Sequence, residues 1–166
     1  MRYHKKIIFT ILTFLWVGVI FSFSLQTGEV SGDISSSILQ KMIGWAAVEV
    51  FEEFEPITQI QWDFFHLILR KCAHFTEFAI LGMLSTFTLF QTKVARKALL
   101  AIGFCLAIAS MDETLQLFVD GRVGSVMDVL IDVTGAGVGV LAVIVGKRKV
   151  GIDVCTAKMN ESYRER

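Results

Sequence analysis

The residues best suited to chemistry in this 166-residue chain fall into three short clusters. The first is Lys71, His74 and Glu77, spaced i, i+3 and i+6. The second is Asp112, Glu113 and Gln116, followed by Arg122 and Ser125; the third is Asp128 and Asp132. On a helix, steps of three drift by about 60°, so Lys71, His74 and Glu77 fit one face roughly 120° wide. Asp112–Gln116 and Glu113–Gln116 are i,i+4 and i,i+3 pairs and share a side. A histidine among carboxylates is the residue set of general acid–base chemistry, in which His74, Glu113 or Asp112 would carry the proton. The same residue types ligate metals, but one His without a defined ligand spacing makes no metal motif. No metal and no other cofactor is therefore expected. Ser125 lacks the surroundings of a nucleophile elbow. The carboxylates Asp112, Glu113, Asp128 and Asp132 outnumber the fixed cations Lys71 and Arg122. A proton held by one carboxylate, a charged His74, or a bound cation or cationic ligand would close that balance.

These clusters stand at the ends of long apolar blocks. The chain is 54% hydrophobic and contains one Pro, and its 16 Lys and Arg offset its 16 Asp and Glu. The apolar residues are concentrated between charged stretches rather than distributed as in a soluble core, which is a membrane signature. No basic stripe with interleaved aromatics is present, so no nucleic-acid partner is expected. Spans are read over about 7–23, 73–90, 98–118 and 128–146. Before the first stand Arg2, Lys5 and Lys6, and after it Ser22-Phe-Ser24 fits a signal-peptidase site. A cleaved signal and a retained helix both fit; the length of the run favours retention.

Between spans one and two, Ile34, Ile38, Leu39, Met42 and Ile43 recur at helical spacing, with Trp45 and Trp62 suited to a membrane boundary. An interfacial amphipathic helix is the reading, with a solvated helix as the alternative. A helix beginning after Pro56 would run into span two with Arg70 and Lys71 at the surface. Gly135 and Gly139 form a GxxxG pair in span four, which permits close approach of a neighbouring helix. Cys72, Cys105 and Cys155 fit no paired or zinc pattern, and Cys105 reads as a small core hydrophobe. The expected fold is all-α: an integral membrane bundle of four transmembrane helices with an extracytoplasmic amphipathic segment between the first two. Residues 1–146 form the transmembrane domain, and residues 147–166 form a polar, partly ordered cytoplasmic tail.

Lys and Arg cluster at Arg2, Lys5 and Lys6, at Lys93, Arg96 and Lys97, and at Lys147, Arg148 and Lys149. The positive-inside rule then puts both termini and the Gln91–Lys97 loop in the cytoplasm of a multi-pass cell-membrane protein. The three polar clusters would meet at the outward end, with Lys71 and Asp128 able to pair at its surface. Asp112 would lie ~21 Å along its helix from Ala98, and Asp132 ~6 Å below Asp128. A charged side chain at mid-bilayer costs about 2.5–3.5 kcal/mol on insertion scales, so such residues should face one another inside the bundle. They would serve there either as a binding or catalytic site or as polar glue between helices.

Several of these segments together resemble the VanZ-like family. Phe21-Ser-Phe-Ser-Leu-Gln26 is similar to its Ser- and Gln-containing segment, and Arg70-Lys-Cys-Ala-His-Phe75 to its R-K-x-x-H-F signature. Leu81-Gly82 follows. Asp112-Glu-Thr-Leu-Gln116, Gly121-Arg122 and Ser125-Val-Met-Asp128 resemble its D-E-x-x-Q…G-R…S-x-x-D signature, with Asp132 and Gly135–Gly139 behind. Phe78 stands where the family pattern suggests Tyr, which removes a hydroxyl from the polar face. The resemblance spans roughly Phe23 to Gly139. It implies a small bacterial membrane protein, in a family whose namesake is associated with resistance to teicoplanin-type glycopeptides.

The expected function is binding: an outward polar pocket that engages a cell-envelope lipid, a cell-wall precursor or a lipophilic glycopeptide antibiotic, contributing to teicoplanin-type resistance. Its ligand-binding residues would be Lys71, His74, Glu77, Asp112, Glu113, Gln116, Arg122, Ser125, Asp128 and Asp132. The alternative is a membrane-embedded enzyme acting on a lipid or lipid-linked substrate through His74 and Glu113. A small ion-coupled carrier is disfavoured by four spans without a visible repeat. Membrane lipids are the expected partners, and the oligomeric state is left open. Topology is directly testable with single cysteines at Glu53, Thr92 and Lys158 in a Cys-free background. An impermeant thiol reagent on intact cells should label only the first, and labelling at position 92 would overturn the orientation.

Overall fold

In a computed structural model, the chain forms long helices and, among the described residues, no strand. The structure describes residues 2–27, 30–33, 36–38, 41, 59–90 and 96–164. Among the described residues four long helices organise it: α1 (Arg2–Ser24), α2 (Gln59–Phe90), α3 (Lys97–Gln116) and α4 (Val126–Arg164). Each contains a segment long and apolar enough to cross a membrane: His4–Ser24, Asp63–Phe90, Lys97–Gln116 and Val126–Lys147. A 20-residue helix reaches ~30 Å, the thickness of the hydrocarbon core. The protein is therefore a multi-pass, all-α membrane bundle. Most of the expected interfacial helix lies outside the described residues; of its hydrophobic positions, Ile38 is described, helical and exposed.

Three boundaries differ from the sequence reading. The apolar part of α2 begins at Asp63, well before Ala73. Arg70 and Lys71 are good helix formers and do not interrupt it. The third span, expected to reach Phe118, ends as a helix at Gln116. There Leu117 N–H turns back to the Thr114 carbonyl at 3.3 Å, tightening the last turn. The tail expected to be partly ordered is helical, since α4 continues to Arg164. No Pro follows Pro56 anywhere in the chain, so nothing breaks the backbone ladder sterically.

The bundle core is small and central. Val17, Ile20, Phe78, Leu81, Cys105, Ile108, Ala109 and Ala136 pack together, and Cys105 is buried as a small hydrophobe. The Phe78 ring is wholly buried, so this position contributes packing rather than a hydroxyl. Outward-pointing Ile8, Phe14 and Leu15 on α1, Leu99 on α3, and Leu130 and Leu141 on α4 are exposed. In water such a surface would be an aggregation liability; in a bilayer it faces acyl chains. At one end of the bundle Lys147 and Lys97 lie over the Phe90 ring, at 3.6 and 5.4 Å from its centre. Cations over an aromatic face suit the membrane boundary.

The closest approach is between α2 and α4. A Cβ at Gly135 would strike the Phe75 backbone, one at Gly139 the Ala79 backbone, and one at Gly82 the Ala136 backbone. The two helices therefore touch main chain to main chain, which the Gly135–Gly139 pair permits. Trp16 on α1 joins this pair by donating its indole N–H to the Glu77 carbonyl at 2.9 Å. Gly139→Leu should separate α2 from α4 and destabilise the protein by about 1–3 kcal/mol or more. Gly137→Leu, where nothing lies within 4 Å, should be tolerated. Thermal unfolding in detergent checks this, and equal effects of the two would contradict the packing.

Candidate functional site

The polar clusters meet at the end of the bundle opposite Lys97 and Lys147. α2 supplies His74, α3 supplies Asp112 and Glu113, and α4 supplies Asp132, all four buried. One side-chain nitrogen or oxygen from each lies within 4.8 Å of the others. The α2–α4 glycine contact explains part of this. Gly135 sits about one turn beyond Asp132, and the Phe75 backbone it touches adjoins His74. Where the glycine lets the backbones meet, His74 and Asp132 must face each other at short range.

Gln116 organises the centre. Its carbonyl oxygen accepts from the Arg70 guanidinium at 2.9 Å. A cation on the oxygen turns the amide NH2 the other way, toward carboxylates. Its nitrogen donates to Asp112 Oδ2 at 3.1 Å and Glu113 Oε1 at 3.3 Å. Asp112 Oδ1 also accepts from the Ser24 hydroxyl at 2.5 Å, which ties the end of α1 into the cluster. Glu113 Oε2 accepts the backbone N–H of Ser125 at 2.7 Å. The Asp112–Gln116 and Glu113–Gln116 pairs anticipated from spacing thus both occur as hydrogen bonds.

Asp132 is treated differently. It is completely buried, yet neither of its carboxylate oxygens has a hydrogen-bond partner. His74 Nδ1 lies 3.3 Å from Asp132 Oδ1, an ion-pair contact when the imidazole is protonated, and it too has no hydrogen-bond partner. A buried polar atom without a partner typically costs about 1–3 kcal/mol, so three together are a substantial departure from ordinary packing.

The remaining candidates surround this centre. Lys71 and Asp128 form a 2.5 Å ion pair at the rim, with the lysine about one-third exposed. Arg122 donates to the backbone carbonyls of Gln26 and Phe23, both at 3.3 Å, clasping the chain beyond α1. Burial, followed by the nearby Arg70 charge, lowers the Arg122 pKa from its usual value. Glu77 is half-buried and lines a cavity of about 320 Å³ together with Ser24, Arg70, His74 and Arg122. Phe23, Ile38, Leu69 and Ala73 form its apolar walls. Ser125 contributes its backbone amide to Glu113 and its hydroxyl to the Met127 N–H, at the start of α4.

The sequence reading misses two site residues. Arg70, expected at the surface, is half-buried and bonded to Gln116. Its position four before His74 places it on the same helix face, a signal that spacing contains. Ser24, which the sequence reading places in the Ser- and Gln-containing segment but not among the site residues, reaches Asp112 across the bundle. Nothing local to Ser24 foretells a contact 88 residues away.

A family-level comparison matches residues 9–147 to VanZ/LLP1. No curated protein and no solved structure matches the chain. The matched region contains the four membrane-crossing segments, apart from the first few residues of the one in α1, and every residue of the polar cluster. The chain is a membrane protein of the VanZ/LLP1 family.

Proposed function

We propose that the cavity at the polar end binds the anionic headgroup of an envelope amphiphile, either a cell-envelope lipid or a lipid-linked cell-wall precursor. The observation that carries this reading is the pairing of two guanidinium groups, Arg70 and Arg122, with apolar walls in one cavity. The buried Nε of Arg70 has no hydrogen-bond partner, and the Arg70 charge disfavours that of Arg122. A phosphate-bearing headgroup would satisfy that nitrogen and relieve the repulsion, because guanidinium and phosphate match as bidentate partners. Phe23, Ile38 and Leu69 would receive the adjoining acyl portion. Facing outward by the positive-inside rule, the cavity would sit where envelope lipids and lipophilic glycopeptides both occur. Sequestering such a ligand is the route by which this chain would contribute to teicoplanin-type resistance.

A second reading is favoured by the buried cluster that reaches the cavity through His74. His74 and Glu113 would act there as general acid or base on a lipid-linked substrate. The readings part on whether the ligand is changed. The purified chain should bind vesicles containing phosphatidylglycerol more tightly than phosphatidylcholine vesicles. Arg70→Gln should weaken that binding about 10- to 100-fold, corresponding to roughly 1.5–3 kcal/mol for a charged hydrogen bond. Equal binding of both vesicles, or no effect of Arg70→Gln, would contradict the lipid reading. A chemically altered lipid that accumulates with the unaltered chain and not with Glu113→Gln would establish the enzyme instead.

A further inference from the structure

We propose that His74, Asp112, Glu113 and Asp132 bind one divalent cation of the Mn2+ or Zn2+ class. Their side-chain ligand atoms come from three helices and lie within 4.8 Å of one another. Metal–ligand bonds to His nitrogen and carboxylate oxygen are ~2.0–2.2 Å, which puts neighbouring ligand atoms of a tetrahedral site ~3.4 Å apart. His74 Nδ1 and Asp132 Oδ1 are 3.3 Å apart, and neither has a hydrogen-bond partner. This separation is an ion-pair contact that makes no hydrogen bond, and it matches the spacing of two ligands on one ion. The second observation is independent of the acidic cluster as such. Asp132 has no exposed surface, and the His74 side chain is 10% exposed, yet both Asp132 oxygens and His74 Nδ1 are unpartnered.

The nearby fixed cations bond groups other than Asp132. Lys71 pairs with Asp128, Arg70 bonds Gln116, and Arg122 bonds backbone carbonyls. None of these bonds reaches Asp132. Three carboxylates in an apolar bundle therefore face one another, with the Gln116 amide between Asp112 and Glu113 and the His74 imidazole beside Asp132. A divalent ion supplies the missing positive charge at the one point they share. The outer partners are those expected around a metal site. The Ser24 hydroxyl, the Gln116 amide and the Ser125 N–H fix how Asp112 and Glu113 point. Such second-layer bonds orient ligands and raise affinity. The donor set selects the ion: one imidazole with three carboxylates suits Mn2+ or Zn2+, whereas Ca2+ takes six to eight oxygens and Mg2+ keeps several waters. His74 also lines the cavity, so the ion would border the space in which a headgroup would sit. The proposal nevertheless stands without the lipid reading.

The test uses the full chain in detergent, stripped with a chelator and titrated with Mn2+. Binding is followed by loss of the free-ion signal in electron paramagnetic resonance. About one ion per chain should bind saturably, and Zn2+ should displace it. Asp132→Asn and His74→Gln should each weaken binding at least ~10-fold, the scale even outer-layer changes produce. Asp120→Asn, a carboxylate in the α3–α4 connection outside the cluster, should leave it unchanged. Absence of saturable Mn2+ or Zn2+ binding by the unaltered chain would overturn the proposal, whatever the variants do. So would binding that survives both Asp132→Asn and His74→Gln. A variant that loses helicity by circular dichroism would be replaced by Asp132→Glu, which keeps the ligand type and should shift affinity without abolishing it. No vesicle enters this titration, so its outcome is separate from that of the lipid test.

Discussion

A carboxylate inside an apolar helical bundle is tolerable only when something nearby answers its charge, and this protein buries three around one point. Asp112 and Glu113 are answered in part by Ser24, Gln116 and the Ser125 amide. Asp132 has His74 alongside and no hydrogen bond. Unpaired buried charge costs more than polar glue returns, since interhelical hydrogen bonds in membranes average only ~0.6 kcal/mol. A bundle selected solely for stability would place apolar residues there. His74, one member of the cluster, also lines the neighbouring cavity.

The rest of the architecture follows from holding these residues together. Glycines at 135 and 139 let α4 lie against the α2 backbone, and that contact fixes the short His74–Asp132 separation. Gln116 then couples the two chemical zones. Its oxygen is held by Arg70 on the cavity side, and its nitrogen is shared between two carboxylates on the buried side. A headgroup that drew Arg70 away would disturb the amide that orients Asp112 and Glu113. Arg122 closes the same region by gripping the Phe23 and Gln26 carbonyls, so the chain leaving α1 is tied to the α3–α4 connection.

Much of this is legible in the sequence because its signals are local. Hydropathy marks four spans, the Gly135–Gly139 spacing marks a close helix contact, and the Asp112–Gln116 and Glu113–Gln116 offsets mark a shared face. Lys71 and Asp128, a candidate rim pair by type and position, do form one. What stays hidden is convergence between helices. The proposed ligand set draws on α2, α3 and α4 at positions 74, 112, 113 and 132, so no ligand spacing exists for a motif to detect. Arg70 is misplaced by sequence because a cation near a span end ordinarily goes to the surface, and a Gln116 acceptor on another helix cannot be seen from charge patterning. The helical tail is underestimated because polar, mixed-charge composition says little about a helix already nucleated by the span before it.

The central claim is that Asp132 is kept for function at a cost in stability. The most direct measurement is the thermal stability of Asp132→Asn against the unaltered chain, both in detergent with excess chelator. Asn keeps the shape and removes one of three mutually repelling charges. If the cluster is a site, the variant should unfold at the same temperature as the unaltered chain or several degrees above it. If Asp132 is instead glue between α2 and α4, the variant should unfold at a clearly lower temperature, and a stability cost at this position would be contradicted.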